Sequence, residues 1–543
     1  MKNHFGILIF LLLLSACKGS DMEQARTKIS ARGLAQYVSK LGSDGFMGRK
    51  PFTEGEKITV NYLADQLKNI GFEPAFDGNW FQSVPMIEIS SRVNGAVTIN
   101  SNKSQLRLNS PDDIALTSPQ TIENIVIKES ELVFAGFGIV APEYLRDDYA
   151  GLDVKGKTVV VLINDPGLYT SDSSYFRGRE MTYYGRWTYK FEEAARHGAA
   201  GVLIIHDTEG AGYAYSIPRN KAMTSGFYIQ SADSNKTMCS FTGWLSAESS
   251  EKIFSKLGYN VADLRKSACN RNFRGFSLST SISLSINNKI TYNSSTNVAG
   301  ILKGTTRKDE CIVYTAHWDH FGLGEKENGD SIYNGAVDNG TSMAWALEIG
   351  KSFAALKRRP QRSVMILFPT AEEQGLVGST YYTEHPVFPA TKTLACFNND
   401  LLLPLGRMKD LMITGYGQSD LDSLLEIAAK EQGRYIIKDP DSQTGMFFRS
   451  DHFSFAKVGI PSSYARGNLE SRKNGKEWTS VMVKDYMTNK YHRPADNYEP
   501  DKWDLEGIAE DAKLAFTVGY GISTSTFFPR WNSRSEFANK RTR

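Results

Sequence analysis

The chain has 543 residues, 41% hydrophobic and 23% charged, with 63 basic against 60 acidic side chains and a formal net charge of +3. That length exceeds one ordinary hydrophobic core, so two or three domains are expected, and the composition is that of a globular protein. The near balance of charge gives no sign of a nucleic-acid partner. The few clustered positive residues, in "NSRSEFANKRTR" at the end of 526–543, read as a solvated, frayed tail.

Residues 1–17 stand apart. Lys2 supplies a positive charge, "FGILIFLLLL" is a ten-residue apolar stretch, and "LSAC" follows at once. Ten apolar residues fall short of the roughly 20 that span a bilayer, but they suit the apolar region of a signal peptide. Leu14-Ser15-Ala16-Cys17 resembles the bacterial lipobox. The resemblance implies cleavage before Cys17, acylation of its thiol and amine, and a protein exported and lipid-anchored to a bacterial membrane, on its periplasmic or cell-surface side. Lys18 after Cys17 points to the outer membrane where the source has one. An ordinary secretory signal, with Cys17 incidental, is the alternative. Of the other cysteines, Cys239 and Cys269 could pair in an exported protein, whereas Cys311 and Cys396 lie in apolar, strand-like runs and read as buried thiols.

From 24 to 130 the chain begins helical. "EGEKITVNYLADQLKNIGFEP" places Ile58, Tyr62, Leu63, Leu67 and Ile70 on one 3.6-period face, with Gly71 where a C-cap belongs and Pro74 blocking continuation. Short β-like segments such as "AVTIN" and "NIVIK" follow. From 131 to 285 the texture becomes β-rich, with "ELVFAGFGIV", "KTVVVLIND" and "AAGVLIIHD" and one amphipathic helix, "YKFEEAARHG", which suggests a separate module. From 291 to 525, apolar strands "CIVYTA", "SVMILFPT", "TLACFNN", "DLMIT" and "GIPSSYA" alternate with helical "SMAWALEIGKSFAAL" and "DLDSLLEIAAKEQG". That alternation predicts an α/β fold with a mixed, mostly parallel sheet flanked by helices.

Ligands of open α/β sheets gather beyond the carboxyl ends of the strands. His317 follows "CIVYTA", Glu372 and Glu373 follow "SVMILFPTA", and Asp400 follows "TLACFNN", so three strands deliver ligand-type side chains to one rim. Asp338 precedes a helix, where it could be an N-cap or could point across the rim, and Gly335 and Gly340 permit close backbone approach. His492 lies in the proline-containing loop "YHRPADNYEP". His452 of "RSDHFSF" reads as a hydrogen-bonded core residue, and His197, His206, His320 and His385 show no partner in the sequence.

His317-x-Asp319, Gly335-Ala336-x-Asp338-Asn339-Gly340, Glu372-Glu373, Asn399-Asp400 and Tyr491-His492 resemble, in order and spacing, the motif series of the M28 zinc aminopeptidases. The resemblance covers 291–525, and "SDGFMGRKPFTEGEKITVNYLADQLKNIGFEP" resembles that family's opening, so 24–130 would be the first part of the same domain. The module at 131–285 resembles an inserted protease-associated domain. The family pattern implies two zinc ions bridged by Asp338, with His317 and Asp400 on one and Glu373 and His492 on the other. Asp319 would orient His317 by accepting its free N–H. Glu372 would be the general base acting on water, and Tyr491 a donor to the developing oxyanion. Imidazole and carboxylate donors suit Zn²⁺ on chemical grounds as well.

The implied activity is hydrolysis of peptide substrates from an end, with removal of N-terminal residues foremost. A carboxypeptidase or dipeptidase of the same fold would need a cation for the substrate carboxylate, and Arg466 and Arg493 are near enough in sequence to supply one. A glutaminyl-cyclase-like transferase would hold a single zinc, which the five-residue ligand set disfavours. A non-catalytic binding protein would have no use for Glu372.

Overall fold

The computed structural model describes residues 21–541 apart from 102, 103, 171 and 173, so the signal segment and Cys17 lie outside the described residues. Two compact units divide the chain: Met1–Val84 with Ser294–Pro440 and Arg449–Arg543, and Pro85–Asn293 with Asp441–Phe448. Sequence texture puts the start of the second module at 131, but the structure puts it at Pro85. The short strands before 131 pair inside that unit: Val97–Ser101 joins residues 280–283, and Ile114–Thr117 joins Phe241–Leu245. The stretch 24–130 is therefore split at Val84.

The first unit contains strands β1 (Arg307–Thr315), β2 (Arg362–Phe368), β3 (Thr393–Asn398), β4 (Asp410–Ile413), β5 (Tyr435–Lys438) and β6 (Ser462–Arg466). Four run parallel in the order β2-β1-β3-β6; β4 continues the sheet antiparallel to β6, and β5 lies parallel to β4. Beyond β2, residues 298–302 add an antiparallel strand. Side chains alternate across the pleat. Ile312, Tyr314, Val364, Ile366 and Phe368 enter one core, and Cys311, Val313, Met365, Leu367 and Cys396 the other. Burial on both faces explains why these strands read as unbroken apolar runs.

Helices α1 (Ala31–Leu41), α2 (Glu54–Ile70), α3 (Ser342–Ala354), α4 (Val377–Glu384), α5 (Asp420–Glu431), α6 (Gly475–Asn489) and α7 (Glu506–Thr524) belong to the same unit, as do two short helices at Asp21–Arg26 and His452–Lys457. Of α1 to α7, all but α4 and α6 contribute to the first core, while α4 contributes Tyr382 to the second. Gly71 caps α2 in the left-handed conformation, φ 101°, as its position predicts. The mixed, mostly parallel sheet with flanking helices is the α/β fold expected. Helix α7 carries no polar stripe along most of its length because it is buried almost all round, so it lacks the periodicity that marks amphipathic helices. The C-terminal tail is packed rather than frayed. Trp531 and Phe537 are buried, and Arg541 donates to the Thr393 main-chain oxygen at 2.9 Å.

In the second unit, Asn124–Phe134, Thr158–Leu162, Gly201–Ile205 and Phe241–Leu245 are successive parallel neighbours. The expected helix is present at Trp187–Arg196, but Ala247–Lys256 and Val261–Ala268 join it, each begun by a side-chain cap from Ser246 or Asn260. The unit is thus less purely β than its sequence texture suggests. Cys239, Cys269, Cys311 and Cys396 are all free thiols, so the possible Cys239–Cys269 disulfide is not formed. Among the described residues no helix is long and apolar enough to cross a membrane.

One fully buried side chain ties the N-terminal segment to the loops above the sheet. Arg49 donates from Nε to the Trp318 main-chain oxygen, from Nη1 to those of Leu41 and Asn334, and from Nη2 to those of Gly335 and Asp338. Burial lowers its pKa to about 10, against the pull of Asp338 and Asp496, and the guanidinium stays charged at neutral pH. Removing it strands several buried acceptors, each worth about 1–3 kcal/mol. Arg49→Ala is expected to destabilise the first unit by about 3 kcal/mol or more, read as a lowered denaturation midpoint.

Candidate metal centre

The polar rim is built from strand ends. His317 lies just beyond β1, Glu372 and Glu373 beyond β2, and Asp400 beyond β3. Asp338 arrives from the segment Ala336–Thr341 ahead of α3, whose N-cap is Thr341, so Asp338 is not that helix's cap. Gly335 begins the segment at φ 55°, where a Cβ would stand 2.0 Å from the Asp338 main-chain oxygen; only glycine fits. Asp496 fixes the segment from beneath. Its carboxylate accepts the N–H groups of Val337 and Asp338, each at 3.0 Å, and the Tyr486 hydroxyl at 3.0 Å.

Five side chains named from the sequence converge. His317 Nε2 is 3.4 Å from Asp338 Oδ1 and 3.4 Å from Asp400 Oδ1. On the other side of the same carboxylate, His492 Nε2 is 3.3 Å from Asp338 Oδ2 and 3.2 Å from Glu373 Oε2. The Glu372 carboxylate stands 4.0 Å from His317 Nε2.

Asp319 acts differently from the sequence expectation. His317 Nδ1 faces its main-chain oxygen at 3.1 Å, while its carboxylate is 3.7 Å away. That carboxylate instead accepts the N–H groups of Glu372, at 3.0 Å, and Glu373, at 3.3 Å. Its backbone therefore orients the histidine and its side chain seats the glutamate pair. The Tyr491 ring stacks on His492 with centroids 3.7 Å apart. Burial, then Asp338 and Glu373, keep its phenol protonated well above the usual tyrosine range.

His320 gains a partner that the sequence does not show. It is fully buried, and its Nδ1 lies 2.8 Å from Glu373 Oε1. Its other nitrogen, Nε2, is buried without a hydrogen-bond partner. Asp496, Arg49 and His320 are the site residues that sequence reasoning missed; the doubled histidine of "HWDH" was the available signal for the last. His452 is buried beside the Tyr464 ring, 5.3 Å between centroids. His197 and His385 stack on Tyr149 and Tyr381, and His206 faces the Tyr213 main-chain oxygen at 3.0 Å. Arg493 pairs with Glu327 at 3.0 Å on the surface.

Charge separates the two glutamates. Burial raises the Glu372 carboxyl well above the usual range; His317 offsets part of this, and Asp400, Glu373 and Asp451 add to it. Glu373 is also buried and repelled by Asp338, yet His492 and His320 pull it down to about 2. Against burial, Glu373 and Asp338 push His492 up to about 10. Adjacent carboxyls held so far apart suit a proton carrier beside an ionised ligand.

The donor set fits divalent cations. The side chains of Asp338, Glu372, Glu373 and Asp400 are 4%, 9%, 5% and 11% exposed, and among the described residues no lysine or arginine ion-pairs with any of them. Buried carboxylates demand compensation, which the histidines supply at contact distance and Arg49 through its attraction to Asp338 and Glu373. Ligand atoms of His317, Asp338 and Asp400, and of His320, Asp338 and Glu373, form two groups, each within 4.8 Å. Nitrogen and carboxylate donors are the set that zinc accepts.

The model of peptidase family M28 matches residues 297–517, the stretch holding all of these ligands. Over these residues the chain is similar to peptidase family M28. Mouse Aminopeptidase NAALADL1 is 29% identical over 161 residues, which are 29% of this chain and 20% of that protein. The chain thus spans about a fifth of that relative's length. Among solved structures, an aminopeptidase from Aneurinibacillus sp. strain AM-1 is 18% identical, covering 92% of this chain and 95% of its own, with a TM-score of 0.48. A zinc aminopeptidase from Bacillus subtilis is 17% identical, covering 94% and 98%, with a TM-score of 0.43.

His320→Ala frees one Glu373 oxygen from its hydrogen bond. By the usual effect of such supporting contacts it should weaken zinc binding about 10–100-fold, measured by titration against a competing chelator.

Proposed function

We propose that the protein is an exopeptidase working with two zinc ions, and that it removes N-terminal residues from peptides. The observation that carries this is the placement of Asp338. Its two oxygens face different histidines, His317 and His492, as a carboxylate shared between two cations must. His317 and Asp400 would complete one ion, and Glu373 and His492 the other, with His320 holding Glu373. Two such ions, when bound, supply Lewis acidity that acidifies water and polarises a carbonyl oxygen.

The chain's own residues do the rest. Glu372, buried beside but not between the ligand pairs, accepts a proton from the attacking water at its carboxylate. It returns that proton to the leaving nitrogen as the C–N bond breaks. Asp319 holds the Glu372 main chain so that its carboxylate faces this task. The Tyr491 phenol donates a hydrogen bond to the developing oxyanion. The name of the mouse relative supports the aminopeptidase direction. In the same proposal, the second unit is a protease-associated-type insert, and acyl chains on Cys17 hold the exported protein at a bacterial membrane.

Free, N-blocked and C-blocked peptides, each with and without a chelator, test the assignment. Cleavage is expected with a free N-terminus, is lost on N-blocking and is abolished by the chelator. Cleavage that survives N-blocking but not C-blocking would reverse the direction. Glu372→Ala is expected to lower kcat about 10²–10⁴-fold with the fold unchanged by circular dichroism; undiminished turnover would remove its role.

A further inference from the structure

Strand β4 runs antiparallel to β6, with Met412 level with Arg466 and Ile413 with Ala465. The chain therefore leaves β4 heading away from the carboxyl rim and its metal ligands. Before α5 begins it meets the C-terminal tail, and hydrogen bonds lace the two segments together. The Asp420 N–H donates to the Arg530 main-chain oxygen at 2.9 Å, and Asp420 Oδ2 accepts the Arg530 N–H at 3.1 Å. Asn532 donates from its main chain to the Gln418 oxygen at 2.7 Å and from Nδ2 to that of Gly417 at 2.6 Å. Trp531 is buried against Phe537, with ring centroids 5.1 Å apart. These segments frame a cleft of about 520 Å³ whose lining includes Gly417, Asp420, Arg530 and Arg534.

The charges of the cleft are not used by the fold. Arg530 and Arg534 are exposed, and among the described residues neither guanidinium has an ion pair or a hydrogen bond. The structural arginines of this unit differ: Arg434 pairs with Asp511 and Arg362 with Glu310, each at 2.7 Å. Arg541 adds to the positive field, and burial followed by Arg530 lowers its pKa to about 10. Opposite in sign, Asp420 is half-buried. Burial raises its carboxyl, and the N–H and charge of Arg530 offset part of this. Its Oδ1 has no partner among the described residues. Between Gly417 and Asp420, Gln418 is 5% exposed, and its buried Nε2 lacks a hydrogen-bond partner. Helix α5 makes no demand on a ligand, because Ser419 and Asp422 already close its first turn as a capping box.

Two free guanidinium forks match a carboxylate. They would equally suit a phosphate, but Asp420 would repel its second negative charge, whereas a half-buried carboxylate gains from an ammonium partner. We propose that this cleft binds a free amino acid or dipeptide, its carboxylate on Arg530 and Arg534 and its ammonium on Asp420, at a site separate from the metal centre. Small-molecule sites occupy roughly 300–1,000 Å³, and the cleft lies within that range. The inference does not rest on the peptidase assignment, although its ligand class is also that of the products such a reaction releases.

Calorimetric titration of the full-length, zinc-loaded protein compares alanine, alanylalanine, N-acetylalanine, alaninamide and inorganic phosphate. Saturable binding of alanine or alanylalanine is expected, and the tighter of the two identifies the occupant. N-acetylalanine, without the ammonium, and alaninamide, without the carboxylate, should bind about tenfold more weakly. Arg534→Met is expected to weaken alanine about tenfold while leaving alaninamide unchanged. Asp420→Asn, which keeps an oxygen for the Arg530 N–H, should weaken alanine while leaving N-acetylalanine unchanged. Thermal melting reports that each variant folds. Phosphate binding as tight as alanine binding would make this a plain anion site and overturn the inference. So would the absence of saturable binding, or alanine affinity equal in the wild type and both variants, which would place the ligand at the metal centre. Peptide turnover without added alanine is expected to stay at the wild-type level in both variants, so this inference and the peptidase assignment fail separately.

Discussion

Four buried carboxylates face one another at the carboxyl rim of β1, β2 and β3, and among the described residues no lysine or arginine forms an ion pair with them. Inside a protein such a cluster is tolerated only when ions or protons compensate it. Histidines supply part of the answer, which is why His317 is held well above and His492 up to about 10, far from ordinary imidazole values. The rest of the unit can be understood as what is needed to keep this repulsive arrangement in place.

Three devices do so, and each acts on the main chain rather than on the carboxylates directly. Arg49 gathers carbonyl oxygens from both loops flanking the site, Asp496 holds the N–H groups around Asp338, and Asp319 holds those of Glu372 and Glu373. Beneath them the sheet is buried on both faces, so the strand ends from which the ligands project have little freedom to relax. The resulting rigidity lets Glu372 and Glu373, consecutive in sequence, meet opposite electrostatic surroundings.

Much of this was legible in the sequence for a definite reason. Strands buried on both sides appear as apolar runs, and a ligand-type residue just past such a run falls at the rim whatever the details of packing. His317, Glu373 and Asp400 were visible in this way. The supporting residues were not: Arg49 and Asp496 bind backbone groups, which leave no pattern of residue types, and His320 finds its partner Glu373 only through the fold. The unit boundary leaves no mark in the sequence because a short strand such as Val97–Ser101 reads the same whichever sheet it joins. Helix α7 is hard to read in the sequence because it is buried almost all round, which leaves little polar stripe. The charges of the tail suggest solvent exposure, whereas Trp531 and Phe537 are what bury it.

The central claim is that a single carboxylate is shared by two cations. Anomalous X-ray scattering from zinc-loaded crystals, collected on both sides of the zinc absorption edge, tests it most directly. Two anomalous peaks are expected flanking Asp338, one beside His317 and Asp400 and the other beside Glu373 and His492. A single peak, or density away from the Asp338 carboxylate, would contradict the account.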